Sequence, residues 1–354
     1  MQNAFGKERT AIVKGLAILL LLIYHLFENE SLITSMQVNY GAIKLENFLM
    51  VVGYGNICVS LFVFVTAYGI SVGILSKEKV EMKEDCRNAV QRFVRLMVNF
   101  FVMYCSINLL WHDFFDYKKL YGEGIQGGLY ALTDALGLTM FFDTPTLNMT
   151  WWYMEVAYIL IFLVPCLAWM IKRVGYSMVF FAFLLPTVIN FNYDVERYLL
   201  VAAVGVAAAY GEWFEKLVAM KTCRLLQWIL SVGAIALSVM VRQNYAIQES
   251  YIHVIDAMLV LLWVFFGGVL IAEVPVLHNV FAYIGKHSMN IYFVHTFFYM
   301  SLWQKYIYQF RYAPLIVAAL LISSLLYSAI LEMIKSWVTR LILWVKGFCI
   351  GDER

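Results

Sequence analysis

Charge is scarce in this chain. Of 354 residues only 14% are Asp, Glu, Lys or Arg, while 62% are hydrophobic and 17% aromatic, a mix that excludes an ordinary soluble domain. The net charge of +2 and the lack of a single basic patch argue against a nucleic-acid partner. Cysteine is sparse as well. Cys58, Cys86, Cys105, Cys166, Cys223 and Cys349 fall in apolar stretches or on the side assigned below to the cytoplasm, and none forms a C-x-x-C pair. Neither an external disulfide framework nor a metal site is expected. No GxxxxGK(S/T) loop, GxSxG elbow or HExxH pair occurs, which sets aside the commonest phosphate-binding, serine-nucleophile and zinc chemistries. No Pro-, Gly- or Ser-rich linker divides the chain, so residues 1–354 read as a single membrane domain.

What fills the chain instead is apolar sequence. Segments of spanning length lie at about 11–27, 57–75, 93–111, 151–171, 176–191, 198–213, 225–241, 254–272, 281–301 and 314–334, predicting an all-α polytopic bundle of roughly ten transmembrane helices. No small-residue cleavage site follows the first segment, so it is read as a retained helix. The stretches 28–56 and 112–150 read as loops on one side, the second containing the interfacial YALTDALGLTMFF (130–142). The tail at 336–354 alternates basic and bulky apolar residues and reads as a cytoplasmic interfacial anchor.

Orientation follows from where Lys and Arg fall. Lys7, Arg9 and Lys14 lead the first span, and Lys77, Lys79, Lys83, Arg87, Arg92 and Arg95 separate the second from the third. Lys172, Arg173, Lys216, Lys221, Arg224, Lys286, Lys335, Arg340 and Lys346 alternate onto the same side, whereas the intervening loops are acidic or mixed. Both termini are therefore expected in the cytoplasm, and the location expected is a bacterial cytoplasmic (inner) membrane.

The first span, TAIVKGLAILLLLIYHLF (10–27), holds two ionisable residues, Lys14 and His25. Eleven steps of about 100° return nearly to the same helix face, roughly 16 Å further along. A cation and an imidazole are thus expected to look into one common cavity, and ionisable groups within a span usually mark function. Histidine accepts protons near neutral pH, which makes His25 a candidate general base. Glu28 stands three residues on; it either orients the imidazole or is an ordinary loop carboxylate. Glu155, four residues into the fourth span, approximates the depth of His25 and is a candidate to position it or to hold an acceptor hydroxyl. His295, with Ser288, His287 and Asn290, is a further cavity candidate, Ser288 and Asn290 being equally suited to bridging helices. Trp151 and Trp152 are assigned to the interfacial aromatic belt, with a sugar platform as the alternative for both, and Trp152 is kept as a cavity candidate. Asp256 has no assigned role.

These residues resemble those of the integral-membrane acyltransferase-3 family. The pattern Lys14-x10-His25 in VKGLAILLLLIYHLF is similar to the family's opening, FVFVTAYGISVG (62–73) to its second span, and Arg92-Phe-Val-Arg95 to the start of its third. WWYMEVAYILIFLVP (151–165) and IGKHSMNIYFVHTF (284–297) resemble its Trp-rich and Gly-x-x-Ser...Tyr-x-x-His segments. The likeness covers about residues 8–335, with two departures. Lys14 stands where the family usually has arginine, keeping the charge but not the two-pronged grip of a guanidinium, and Thr66-Ala67-Tyr68-Gly69 replaces the usual Ser-Gly-Phe.

The resemblance implies acyl transfer from a cytoplasmic acyl-CoA, acetyl-CoA or another, to a hydroxyl of a carbohydrate, lipid-linked or other cell-envelope acceptor. It makes His25 the base and Lys14, with Arg92 and Arg95, the cations for the donor's phosphates. No metal is implied. A transporter or flippase of a lipid-linked or polymeric saccharide is the alternative, and a sensor or assembly scaffold a third reading.

Overall fold

The computed structural model of the chain describes residues 5–77, 81–189, 193–219, 223–244 and 251–351. Lys79 and Lys221, counted above towards one side, lie outside the described residues, as do 352–354. Among the described residues the fold is all-α, its nearest approach to a strand being an isolated bridge between Asn39 and Tyr312. The helices in order are α1 (Lys7–Phe27), α2 (Glu30–Ser35), α3 (Leu45–Tyr54), α4 (Cys58–Leu75), α5 (Met82–Trp111), α6 (Tyr117–Tyr121), α7 (Gly124–Ala135), α8 (Thr139–Phe142) and α9 (Tyr153–Val174). There follow α10 (Ser177–Val188), α11 (Tyr193–Tyr210), α12 (Trp213–Ala219), α13 (Arg224–Arg242), α14 (Ile252–Phe265), α15 (Pro275–Lys286), α16 (Ser288–Phe297), α17 (Gln304–Tyr308) and α18 (Ala313–Gly351).

Seven stretches among the described residues are long and apolar enough to cross a membrane: Lys7–Phe27, Leu45–Leu75, Met82–Phe114, Met149–Val174, Arg224–Arg242, Ile252–Glu273 and Ala313–Trp337. Three of the segments expected to span take another form. The one near 176 is the 12-residue α10, with Pro186 in its last turn. The one near 198 begins earlier, with Asp194, Glu196 and Arg197 in its opening turns. The one expected at 281–301 is split: α15 starts at Pro275 and ends at Lys286, His287 leaves the helical region (φ −94°, ψ 2°), and α16 begins at Ser288. Hydropathy registers the apolar length of this segment and is blind to the break. Residues 45–54, read as part of a loop, form α3, which continues through a 3₁₀ turn into α4. The tail has no boundary at 335 either, since α18 runs unbroken for 39 residues.

Helix α1 is the axis of the bundle, packed against α4, α15 and α16. Its closest neighbour is α15. A Cβ at Gly15 would lie 2.2 Å from the Phe281 carbonyl oxygen, and one at Gly285 would lie 1.8 Å from the Ala11 carbonyl oxygen. Two glycines thus let the backbones of α1 and α15 touch, the small-residue crossing favoured between apolar helices.

The two ends of the bundle differ in charge. Around the start of α1, Arg9 donates to the Gly268 carbonyl (2.9 Å), Arg224 pairs with Glu273 (2.9 Å), Lys77 pairs with buried Asp85 (2.9 Å), and Lys172 donates to the Lys77 carbonyl (2.8 Å). At the other end, helices α6 to α8 are pinned by buried Asp134. It accepts from the Tyr121 hydroxyl (2.6 Å), the Thr146 hydroxyl (2.9 Å) and the Leu147 N–H (2.7 Å). Burial raises its carboxyl above the ordinary carboxylate range despite those donors.

Candidate functional site

Lys14 and His25 sit on the unbroken α1. Lys14 lines a cavity of about 170 Å³ whose polar walls are Thr66 of α4 and Ser288 of α16, and whose remaining walls include Leu96, Ile161, Tyr153 and Tyr292. Among the described residues Lys14 forms no ion pair. Facing it is the first turn of α16, where Ser288 and Met289 line the cavity. The cleft thus combines one cation and one serine hydroxyl with mainly apolar walls.

His25 is oriented by its own helix end. Because α1 reaches Phe27, Glu28 follows on the same turn, and its carboxylate lies 3.0 Å from His25 Nδ1. A carboxylate only accepts, so Nδ1 carries a proton, and in the neutral ring Nε2 keeps its lone pair. Burial raises the Glu28 carboxyl, but the hydrogen bond and charge of His25 and the nearby Tyr24 hydroxyl outweigh it and hold the group below its ordinary range. The His295 ring lies 5.2 Å from that of His25. His295 is fully buried, and its Nδ1 donates to the Tyr292 carbonyl (2.8 Å) and the Ile291 carbonyl (3.2 Å). Its Nε2 is therefore also an acceptor, and it has no hydrogen-bond partner among the described residues.

His25 is not among the residues that line the Lys14 cavity. Tyr292 lines the Lys14 cavity, packs edge-on against Tyr153 (5.8 Å) and stands 6.3 Å from the His295 ring. Its hydroxyl donates to the Thr150 carbonyl. Tyr292 thus borders the Lys14 cavity and neighbours His295, which in turn neighbours His25.

Other expected site residues scatter. Glu155 is buried in the first turn of α9, outside the walls of the Lys14 cavity; the carboxylate bonded to His25 is Glu28. Arg92 is half-buried one turn from Leu96 on the same face of α5, near Asp85, whereas Arg95 is exposed. Trp152 stacks on Tyr198 (6.3 Å). Trp151, assigned to the interfacial belt, is buried and donates to the Phe293 carbonyl (3.1 Å), so it is a core wedge between α9 and α16. Asn290 bridges helices, donating to Ser328 (2.8 Å) and Glu332 (2.8 Å).

A second polar cavity at the His25 end was not anticipated. It measures about 240 Å³ and is lined by Tyr24, Asn56, Arg197, Arg242 and Gln243. Its anchor is Asp256, fully buried and gripped by Arg242 through Nε (2.7 Å) and Nη2 (3.2 Å). The available signal was charge distribution: Arg197 and Arg242 lie at the end opposite the other basic clusters.

The model of the acyltransferase-3 family, described as an acyltransferase domain, matches residues 11–333. No curated protein and no solved structure matches the chain.

Proposed function

The chain belongs to the acyltransferase-3 family and is a multi-pass membrane acyltransferase; from that premise we propose that it moves an acetyl or other acyl group from acyl-CoA, bound at the Lys14 end, to a hydroxyl of a carbohydrate or other cell-envelope acceptor entering at the His25 end. The membrane is the bacterial cytoplasmic membrane, with the Lys14 end and both termini inward. The observation that carries the reading is the His25–Glu28 contact, which fixes an imidazole with Nε2 free to accept a proton, in the span that also holds Lys14.

In this reading Lys14, Ser288 and the start of α16 hold the negative and polar parts of the donor, with Arg92 one turn beyond. Coenzyme A carries its thioester on a long flexible arm, and the roughly 16 Å between Lys14 and His25 is of that scale. Tyr292 borders the donor's cavity beside His295. The acceptor hydroxyl then donates its proton to His25 Nε2 as its oxygen bonds to the thioester carbon. The tetrahedral intermediate collapses with loss of the thiolate, which takes the proton back from the imidazolium. His295 Nε2 accepts a hydrogen bond from the acceptor. Glu28 stabilises the imidazolium without itself taking the proton, as a carboxylate does behind a histidine base.

The test is thiol release and radiolabel transfer from acetyl-CoA by the purified chain in detergent. Wild type is expected to release CoA, and His25→Ala to release none while keeping its helical spectrum and melting temperature. A folded wild type with no turnover of any acyl-CoA, or a variant with undiminished turnover, overturns the proposal.

A further inference from the structure

We propose that the cavity walled by Tyr24, Asn56, Arg197 and Arg242 binds the anionic group of the acyl acceptor, a carboxylate or a phosphate. This deepens the acyl-transfer reading and rests on it for the word acceptor, but the anion site stands on its own geometry.

The guanidiniums are built in, rather than draped over a surface. Arg242 and Asp256 are both buried, with 2% and 0% of their surfaces exposed. The bidentate contact locks the plane of the Arg242 fork. Arg197 lies 3.9 Å from the same carboxylate and donates to the Asn56 side-chain oxygen (3.3 Å), while Ser60 donates to Asp256 as well (2.8 Å). Arg242 also lies over the Tyr54 ring (5.7 Å) and Arg197 over Tyr198 (5.3 Å). Each planar fork is therefore fixed from two sides, and both border one cavity. Fixed guanidiniums match oxyanions of carboxylate and phosphate geometry, which makes the site selective for charge rather than for sugar hydroxyls.

The cavity also touches the reaction centre. Tyr24 is the residue before His25, its ring 5.1 Å from the imidazole, and its hydroxyl faces both Glu28 and Asn56. An acceptor anchored by its anion in this cavity would present a neighbouring hydroxyl to the face of α1 that carries the base.

The experiment is a calorimetric titration of the full chain in phosphatidylcholine nanodiscs with D-glucuronate, glycerol phosphate and D-glucose. At least one anion is expected to bind, more weakly as salt is raised, and glucose not to bind. Arg197→Gln is expected to weaken the anion at least tenfold, with partial recovery in Arg197→Lys. Nanodiscs of phosphatidylglycerol separate the sources: if the anion is a lipid headgroup, they abolish binding of the soluble anions and raise the melting temperature. The proposal is overturned if no anion binds in any nanodisc and the lipid leaves the melting temperature unchanged, or if glucose binds as well as glucuronate. It is equally overturned if Arg197→Gln lowers the melting temperature and leaves anion affinity unchanged, the mark of a purely structural ion pair. Acetyl-CoA turnover by the wild type is measured in parallel. Turnover without anion binding rejects this site alone, and anion binding without turnover keeps the site and rejects the acyl-transfer reading.

Discussion

Lys14 and Arg242 both carry positive charge into the interior of the bundle, in opposite settings. Lys14 borders a mainly apolar cleft and forms no ion pair among the described residues. Arg242 is held by two hydrogen bonds to a buried carboxylate that a second arginine and a serine also approach. A flexible ammonium without a fixed partner suits a ligand that arrives, reacts and leaves; a braced guanidinium suits recognition in one geometry. On the proposed function, the difference separates the end that would take a mobile donor from the end that would position an acceptor. Between them stand Tyr292 and the two histidines.

The largest effect is expected where the two ends meet. His25→Ala removes the proton acceptor, and kcat for acyl transfer is expected to fall by about 10²- to 10⁴-fold, the usual span for a general base, with donor binding unchanged. Donor KM and single-turnover rates separate the two. A variant losing donor affinity instead would place His25 on the donor's side of the comparison.

Next in size is a matched pair. Arg242→Met strands the Asp256 carboxylate and is expected to cost about 3–5 kcal/mol of stability, as breaking one side of a buried pair does. Lys14→Met strands nothing, so its melting temperature is expected to hold or rise, while the KM for acetyl-CoA rises about 10- to 100-fold with the loss of a charge-assisted contact. Thermal melts and donor titrations of the two variants side by side check the contrast. Equal destabilisation would erase it.

How much of this was legible beforehand depends on sequence distance. Lys14 and His25 share a face because a helix repeats every 3.6 residues, and a fixed period can be read off one line of text. Glu28 needed only a helix end, yet whether α1 stops before or after it decides between base partner and loop carboxylate, and helix ends are what sequence reading places worst. Arg242 and Asp256 lie on different helices and meet only after packing, so no local spacing announces them; Arg197 comes from a third helix. The break at His287 was hidden for another reason, since hydropathy averages the polar Lys286, Ser288 and Asn290 into the long apolar runs on either side of them. Seeing that Tyr292 and Tyr153 line the cavity together required side chains from α9 and α16 in place.

A smaller effect is expected at Glu28, which on the proposed function tunes the base at the His25 end. Its folded carboxyl is held below the ordinary range. Its contribution to stability is thus present above the ordinary carboxylate pKa and lost as pH falls through the lower folded value. Glu28→Gln is expected to reduce kcat roughly tenfold at neutral pH and to remove the carboxyl's inflection from the acid limb of the rate profile. A profile of kcat against pH for both proteins decides it. If the acid limb keeps the same shape without the carboxyl, Glu28 does not govern the imidazole.

The smallest contrast lies within a single turn of α16, between Ser288 and Asn290. Ser288 lines the Lys14 cavity, whereas Asn290 ties α16 to Ser328 and Glu332 of α18 and accepts from Lys335 (3.0 Å). One neutral hydrogen bond to a ligand is worth about 0.5–1.5 kcal/mol net, so Ser288→Ala is expected to raise donor KM roughly 2- to 10-fold with little change in melting temperature. Asn290→Ala takes donors and an acceptor from a network between two helices, so its effect is expected in the melting temperature, with donor KM unaltered. Two residues apart on one helix, the pair asks whether the cavity wall and the helix contact behind it are separable. If either variant moved both quantities together, the wall and its support would be one unit, and the donor site would extend through α16 to α18.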